Sequence, residues 1–143
     1  MTNTPRVINR RSRVLFISRI NRIQQTMKYL LSADEASEKQ MDWGSLTWFT
    51  SAAQSNSDSL TTGLCILKAR EGNPRHYHPN CDEVLHVLEG TIMHSFGDDE
   101  FPMGPGDTIN IPREVVHNAR NTGQTEARLF ICFSSSDRQT IEV

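Results

Sequence analysis

The sequence predicts an all-β domain, either a sandwich or a barrel of antiparallel strands. From Trp43 onward, short segments rich in threonine, aromatic and branched residues follow one another along the chain. Glycine, proline, asparagine and serine stand between these segments, as they do in turns. Beyond Met27 no long segment carries the 3.6-residue apolar period of a helix, so strands are expected to form the core.

Length and charge divide the chain before any element is considered. At 143 residues it has the length of one ordinary domain. Six arginines and no acidic residue precede Met27: Arg6, Arg10, Arg11, Arg13, Arg19 and Arg22. We therefore predict a basic N-terminal extension, residues 1–26, followed by a single domain, residues 27–143. The extension is a loosely attached tail, a docked helix with Val14, Ile17, Ile20 and Ile23 on one face, or an organelle-targeting segment.

The predicted elements of the domain follow in chain order. In SADEASEKQ, Ser32 and Glu35 have the spacing of a capping box, which predicts a helical turn. Six strands are predicted after it, in SLTWFTSA, LTTGLCILKA, EVLHVLEG, TIMHSFG, DTINIP and ARLFICF. Short strands at such short intervals are typical of a sandwich or barrel.

Overall composition restricts the class of partner. The formal charge of −2 and a pI near 6.2 give no bulk attraction to nucleic acid or to an anionic membrane, so we expect small-molecule partners. Three cysteines at wide spacing, Cys65, Cys81 and Cys132, form neither a disulfide framework nor a zinc-ribbon pattern. No apolar run approaches the ~20 residues of a membrane span. A cytoplasmic protein is expected.

The segment HYHPNCDEVLHVLEG carries the candidate chemistry. Side chains alternate along a strand, so His76 and His78 project to one face and Tyr77 to the other. The turn PNCD can fold the next strand back beside the first and bring Glu83 to the two histidines. His117 is a fourth candidate, because PGD reads as a turn, TINI as a strand and PREVV as a second turn. Imidazole and carboxylate groups suit divalent first-row metals.

A single His-x-His pair is more often two surface histidines than a metal site. The combination of this pair with a glutamate beyond a turn, and with a third histidine beyond a PGD turn, favours a metal site. Four protein ligands on one side of an octahedron leave two adjacent positions for water, substrate or dioxygen. Such a site can therefore support chemistry.

These two segments resemble the two motifs of the cupins. HYHPNCDEVLHVLEG resembles the first and GDTINIPREVVHNARN the second, and the resemblance covers about Leu46 to Phe133. It implies a double-stranded β-helix, or jelly-roll barrel, that holds one divalent transition metal (Fe, Mn, Ni or Zn). The implied ligands are His76, His78, Glu83 and His117. The short spacing between the motifs resembles that of compact bacterial members, which implies a homodimer.

The chain departs from the cupin pattern at two positions. Only three residues separate Gly72 from His76, where the pattern places five between its glycine and the first histidine. Glu114 stands where the pattern prefers glycine after the proline of the second motif. Glycine there permits a positive φ, so Glu114 predicts a different turn or a modestly strained one.

Other residues near the motifs have weaker assignments. Cys81 is expected to be a loop thiol without a role, and strand parity turns His86 away from Glu83, whereas His94 is a possible acid or base. Arg75, Arg113 and Arg120 are candidate anion ligands, and Asn118 and Asn121 are candidates to close the turn near His117 or to orient its ring. The apolar walls are expected to comprise Leu85, Val87, Phe96, Ile111, Phe130 and Cys132.

Two functions follow from these residues. The first is a metal-dependent enzyme acting on a small polar metabolite, of isomerase, lyase or dioxygenase type. The alternative is a non-catalytic module that binds a small molecule, and it is favoured by the lack of an evident general base besides the ligands. The substrate itself cannot be read from the motifs, because fold-level analogy does not transmit it.

Overall fold

A computed structural model describes residues 29–143 together with residues 15, 18, 19 and 21–23. The chain divides into two compact units, Met1–Leu30 and Leu31–Val143. In the first unit, residues 15, 18, 19 and 21–23 are helical. Most of the predicted extension, residues 1–26, lies outside the described residues, so its role stays a prediction. Across the described residues, no helix combines the length and apolar character needed to cross a membrane.

Eleven strands form within the second unit, and the six predicted ones are among them. In chain order they are β1 (Ser37–Met41), β2 (Gly44–Thr50), β3 (Thr61–Leu67), β4 (His76–Tyr77), β5 (Glu83–Glu89), β6 (Ile92–Phe96), β7 (Asp99–Met103), β8 (Thr108–Ile111), β9 (His117–Asn121), β10 (Ala127–Phe133) and β11 (Ile141–Glu142). The prediction missed β1, β7, β9 and β11, because their segments are largely polar and show little of the alternation that identifies a strand.

The strands make two antiparallel sheets. One has six strands in the order β1-β2-β3-β10-β5-β8, and the other has five in the order β11-β4-β9-β6-β7. Apolar side chains from both sheets share one core, including Leu67, Val87 and Leu129 from the first and Ile92 and Ala119 from the second. The predicted all-β jelly roll is therefore confirmed.

Strand alternation decides which residues reach this core. Leu85, Val87 and Ile111 are buried as predicted, whereas Phe96 is only half-buried. The prediction for Phe130 and Cys132 is wrong, because β10 buries the alternate set: Ala127, Leu129, Ile131 and Phe133. Apolar residues occupy nearly every position of ARLFICF, so the sequence of this strand does not show which alternate side chains face the core.

Two turns position the site. Gly90 follows β5 at φ +84°, and a Cβ there would lie 2.8 Å from Cα of Ala127, so only glycine fits. Glu114 has φ +67°, which confirms the strained turn predicted from the missing glycine. For a non-glycine residue this conformation costs roughly 1–2 kcal/mol. The Glu114 amide donates to the carbonyl of His78, at 2.9 Å, and ties this turn to the candidate ligands.

The turn before β1 has the capping-box spacing that predicts a helical turn, but the chain continues into a strand. The Ser32 amide donates to Glu35 Oε2 at 3.2 Å, as in a capping box, and Ser32 Oγ donates to the same oxygen at 2.5 Å. The chain makes turns here and then enters β1 instead of a helix. The predicted turn is present, but it is not helical.

Candidate metal centre

Both sheets contribute side chains to one cluster. His76 on β4 and His117 at the start of β9 belong to the five-stranded sheet, and His78 lies just beyond β4. Glu83 begins β5 in the six-stranded sheet. His76 and His117 are direct partners in the β4–β9 register. One potential ligand atom from each residue lies within 4.8 Å of the others. The structure therefore brings together the four residues that the motifs predict.

Backbone carbonyls orient all three imidazoles. Nδ1 of His76 lies 2.8 Å from the Pro74 carbonyl oxygen, Nδ1 of His78 lies 2.7 Å from that of Gln139, and Nδ1 of His117 lies 2.8 Å from that of Val115. A carbonyl only accepts hydrogen bonds, so each Nδ1 carries a proton and donates it. Each Nε2 therefore keeps a lone pair, as metal ligation requires.

The distances to Glu83 test whether a metal fits. Its Oε2 lies 3.0 Å from Nε2 of His78 and 2.9 Å from Nε2 of His117. With the proton on Nδ1, these contacts bring lone pairs together, an arrangement that a metal ion or an added proton stabilises. Two donors bound at right angles to one ion, each at ~2.0–2.2 Å, are about 3.0 Å apart. The donor set and its spacing fit a divalent first-row metal.

Burial and mutual contacts set the charges of the cluster. Burial raises the pKa of Glu83, but contacts from His117 and His78 outweigh it and hold that pKa well below its usual range. Burial lowers the pKa of His76 to about 4. Burial also lowers the pKa of His117, yet contact with Glu83 gives a net rise. Metal ligation needs an ionised carboxylate and neutral imidazoles, so Glu83 and His76 are already in the required form.

Several of the other predicted residues take no part in the four-residue cluster. Burial raises the pKa of the Cys81 thiol, which is fully buried and keeps its proton, as expected for a thiol without a role. His86 faces away from Glu83, as predicted, and its Nδ1 lies 2.7 Å from Thr108 Oγ1. Arg113 pairs with Asp82, and Arg75 donates to the Gly97 carbonyl.

The prediction that asparagines orient the His117 ring is wrong. The Asn118 side chain bonds Ser95 Oγ and the Asn73 carbonyl, while Asn121 donates to the carbonyls of Leu67, Lys68 and Thr125. These bonds join loops and strands of the domain. Ring orientation falls to main-chain carbonyls, which residue type alone does not reveal.

His94 is fully buried on β6 and carries no hydrogen bond within the described part of the chain. Its ring stacks against those of His117 and Phe101, with centroids 5.9 and 5.8 Å away. Burial lowers its pKa to about 4, so it is neutral at physiological pH. Its burial and the lack of a bonded partner argue against a role as acid or base.

Replacing His94 with phenylalanine is expected to raise the free energy of unfolding by about 1–3 kcal/mol, the usual cost of an unsatisfied buried polar group. Phenylalanine keeps the stacking on His117 and Phe101. Urea denaturation of the native protein and the variant measures the difference. His86→Phe is the control and should bring no gain, because His86 is bonded to Thr108. A destabilised His94→Phe protein would show that one of the His94 nitrogens has a partner.

The sequence interpretation missed Arg138. Its segment, FSSSDR, reads as a polar strand exit, yet the guanidinium carbon lies 4.5 Å from the ring centre of Trp48 and 4.9 Å from that of Phe133. Arg138 lines a cavity of about 300 Å³ together with His76. No spacing relates Arg138 to the motifs, so only the path of the chain after β10 reveals it.

Comparisons with known proteins agree with this geometry. Residues 63–133 match the family described as Cupin domain. The chain is 36% identical to protein SchB of Streptomyces halstedii over 67 residues, which are 47% of the chain and 49% of SchB. It is 34% identical to the polyketide synthase CurC of Streptomyces cyaneus over the same share of the chain, covering 44% of CurC. The chain thus spans about half the length of these relatives.

A solved structure is similar in fold. The oxalate decarboxylase of Bacillus subtilis, whose Mn(II) centres have been studied, superposes with a TM-score of 0.69 over 75% of this chain and 30% of that one. The two are 16% identical, a level at which only the fold is shown.

Proposed function

The chain belongs to the cupin superfamily through residues 63–133, and we propose from this premise that it is a metal-dependent enzyme acting on a small polar metabolite. One observation carries the proposal: three imidazoles with backbone-fixed Nδ1 atoms converge with one carboxylate beside an open cavity. The proposed ligands are His76, His78, Glu83 and His117. The proposed cofactor is one divalent transition metal: iron, manganese, nickel or zinc.

The chain's own residues prepare the site for a substrate. His78, Glu83 and His117 are buried, whereas His76 is partly exposed and lines the cavity, so a substrate approaches from the side of His76. Glu83 offsets one positive charge of a divalent ion. A bound metal would supply Lewis acidity to polarise a carbonyl or stabilise an enolate, or, with iron, reactivity towards dioxygen. This supports a reaction of isomerase, lyase or dioxygenase type.

Turnover by defined metal forms tests the proposal. The protein, loaded separately with iron, manganese, nickel or zinc, is incubated with sugar acids, keto acids, thiols and phenols, and products are followed by mass spectrometry. Extended β-keto acids belong in the set, since CurC is named a polyketide synthase. We expect turnover with one metal form and none with His76→Ala. No turnover by any form with any compound would contradict an enzymatic role.

A non-catalytic binding module is the second candidate. Beyond His76, Lys39 and Glu142 are the groups among the described cavity residues that could act as a general base, and both are exposed. A compound that raises the melting temperature and is recovered unchanged would favour this alternative over an enzyme.

We also propose that the protein is a homodimer. The outer face of the six-stranded sheet presents Leu64, Ile66, Phe130, Val84 and Leu88, and the last two are 38% and 45% exposed. A second copy would cover this apolar face. Sedimentation equilibrium at micromolar concentration tests the assignment, and a monomer there would contradict it.

A cytoplasmic location remains part of the proposal. Cys65, Cys81 and Cys132 are all free thiols, which suits a reducing compartment. Fractionation of cells that express the protein at native level is the direct test, and recovery outside the cytoplasm would contradict it.

A further inference from the structure

The cavity beside the four-ligand cluster has a mixed lining. Its volume of about 300 Å³ lies at the lower end of small-molecule sites. Trp43, Leu46 and Trp48 contribute its apolar wall. Its polar wall includes His76 and Arg138, together with the oppositely charged and exposed Lys39 and Glu142. A ligand that fills it therefore meets an apolar surface, a metal ligand and a guanidinium at the same time.

Arg138 is held in a defined position at this cavity. Its guanidinium contacts the rings of Trp48 and Phe133, and Nη1 donates to Thr140 Oγ1. Phe133 is only 2% exposed and packs edge-on against the His78 ring, with centroids 5.0 Å apart. Ring contacts engage the faces of a guanidinium and leave the N–H groups at its edge available.

The charge of Arg138 has no bonded counterion in the part of the chain that the structure describes. The arginine–carboxylate ion pair found there joins Arg113 to Asp82. Of the five N–H donors of Arg138, one is bonded, to Thr140. Burial lowers the pKa of Arg138, and Glu83 raises it from a distance, but His78 and His117 already engage that carboxylate. A half-buried cation with free donors is suited to an external anion.

We propose that Arg138 binds the carboxylate of the ligand, and that this ligand is a small carboxylate anion whose apolar or aromatic body contacts Trp43, Leu46 and Trp48. The inference rests on the proposed function, because it names the substrate class of the same site. Arginine binds a carboxylate through two parallel N–H bonds. The formal charges of Lys39 and Glu142 cancel, so the cavity keeps the one positive charge of Arg138, which matches a carboxylate, whereas a phosphate carries nearly two negative charges.

The two tryptophans provide a direct binding signal. They are Trp43 and Trp48, the chain has no other, and both line the cavity. Zinc-loaded and metal-free protein are titrated with three acid–amide pairs: benzoate and benzamide, phenylacetate and phenylacetamide, butyrate and butyramide. Phenyl phosphate is the comparison anion. Binding is followed by tryptophan fluorescence and by calorimetry.

In the native protein, the acid of at least one pair is expected to bind about 10- to 100-fold more tightly than its amide, as for hydrogen bonds to a charged group. Arg138→Gln should abolish this preference, and Arg138→Lys should retain part of it. Arg113→Gln is the matched control, because that arginine already pairs with Asp82 outside the cavity lining. It should keep the native preference.

Any of the following outcomes overturns the inference: no acid preference in any pair, a preference that survives in folded Arg138→Gln, or tighter binding of phenyl phosphate than of every acid. If circular dichroism shows Arg138→Gln unfolded, Arg138→Lys decides, because lysine keeps the charge without the two parallel donors. A full acid preference in that variant also overturns it. Metal content is measured separately. Acid preference without metal binding supports this inference and contradicts the proposed function. Metal binding without acid preference supports the proposed function and contradicts this inference.

Discussion

Replacing Glu83 with alanine is expected to abolish stoichiometric metal binding and, with it, the stabilisation that metal confers. The Oε2 atom of Glu83 lies within 3.0 Å of two imidazole nitrogens, and it supplies the only carboxylate of the cluster. Without it the site loses one ligand and a negative charge. Losing an outer partner of a metal ligand already costs about 10- to 100-fold in affinity, so losing the ligand itself should cost more.

Elemental analysis and thermal unfolding measure the effect of Glu83→Ala. The native protein, purified without chelator or added metal, should hold about one equivalent of metal. Metal at about 100 times its Kd should add about 2.7 kcal/mol to the free energy of unfolding, a rise of roughly 5–10 °C in Tm. Glu89→Ala, which removes an exposed carboxylate from the far end of the same strand, is the matched control. Equal metal content in all three proteins would refute the assignment of the site.

Deleting residues 139–143 is expected to weaken metal binding by roughly 10- to 100-fold while the domain still folds. This segment supplies the Gln139 carbonyl that orients His78 and the edge strand β11, whose residues are exposed. Asn80 holds the segment through bonds to the Asp137 carbonyl and the Gln139 amide. Without the segment, the His78 ring can rotate or change tautomer, so its Nε2 no longer points reliably at Glu83.

Two point variants test whether the position of residues 139–143, and not only their presence, matters for metal binding. Asn80→Ala leaves the segment in place but removes both bonds, so its zinc affinity should fall between those of the native and deleted proteins. Gln139→Ala keeps the main-chain carbonyl and should bind zinc like the native protein. Competition with a chromophoric chelator gives the affinities, and circular dichroism confirms folding. Native affinity in the folded deletion protein would show that the segment does not orient His78.

The sequence predicts the four-residue cluster well because short-range geometry determines it. Alternation in a strand places His76 and His78 on one side, and turn residues return the chain at Glu83 and His117. Side chains that depend on long-range packing are predicted poorly. Phe130 faces outward because the pairing of β10 with β3 and β5 determines which alternate side chains face the core. The apolar pattern of the strand does not determine this.

The groups around the ligands are the least predictable part of the site. Main-chain carbonyls of Pro74, Val115 and Gln139 orient the imidazoles, and every residue type has such a carbonyl. Arg138 reaches the cavity because the chain after β10 folds back over the site. In the same segment, the Gln139 carbonyl contacts His78, which lies sixty-one residues earlier in the sequence. The arginines near the motifs were the candidates, but the one that lines the cavity is distant in sequence.

The division of the ligands between two sheets has a consequence for kinetics. Glu83 and His117 are thirty-four residues apart, and they meet only when both sheets have paired. An ion held by both is bound late in folding, so it should slow unfolding and leave the rate of refolding almost unchanged. Resistance to proteases and to irreversible heat inactivation depends on that unfolding rate. A bound metal would then determine how long each folded molecule lasts, independently of any chemistry at the site.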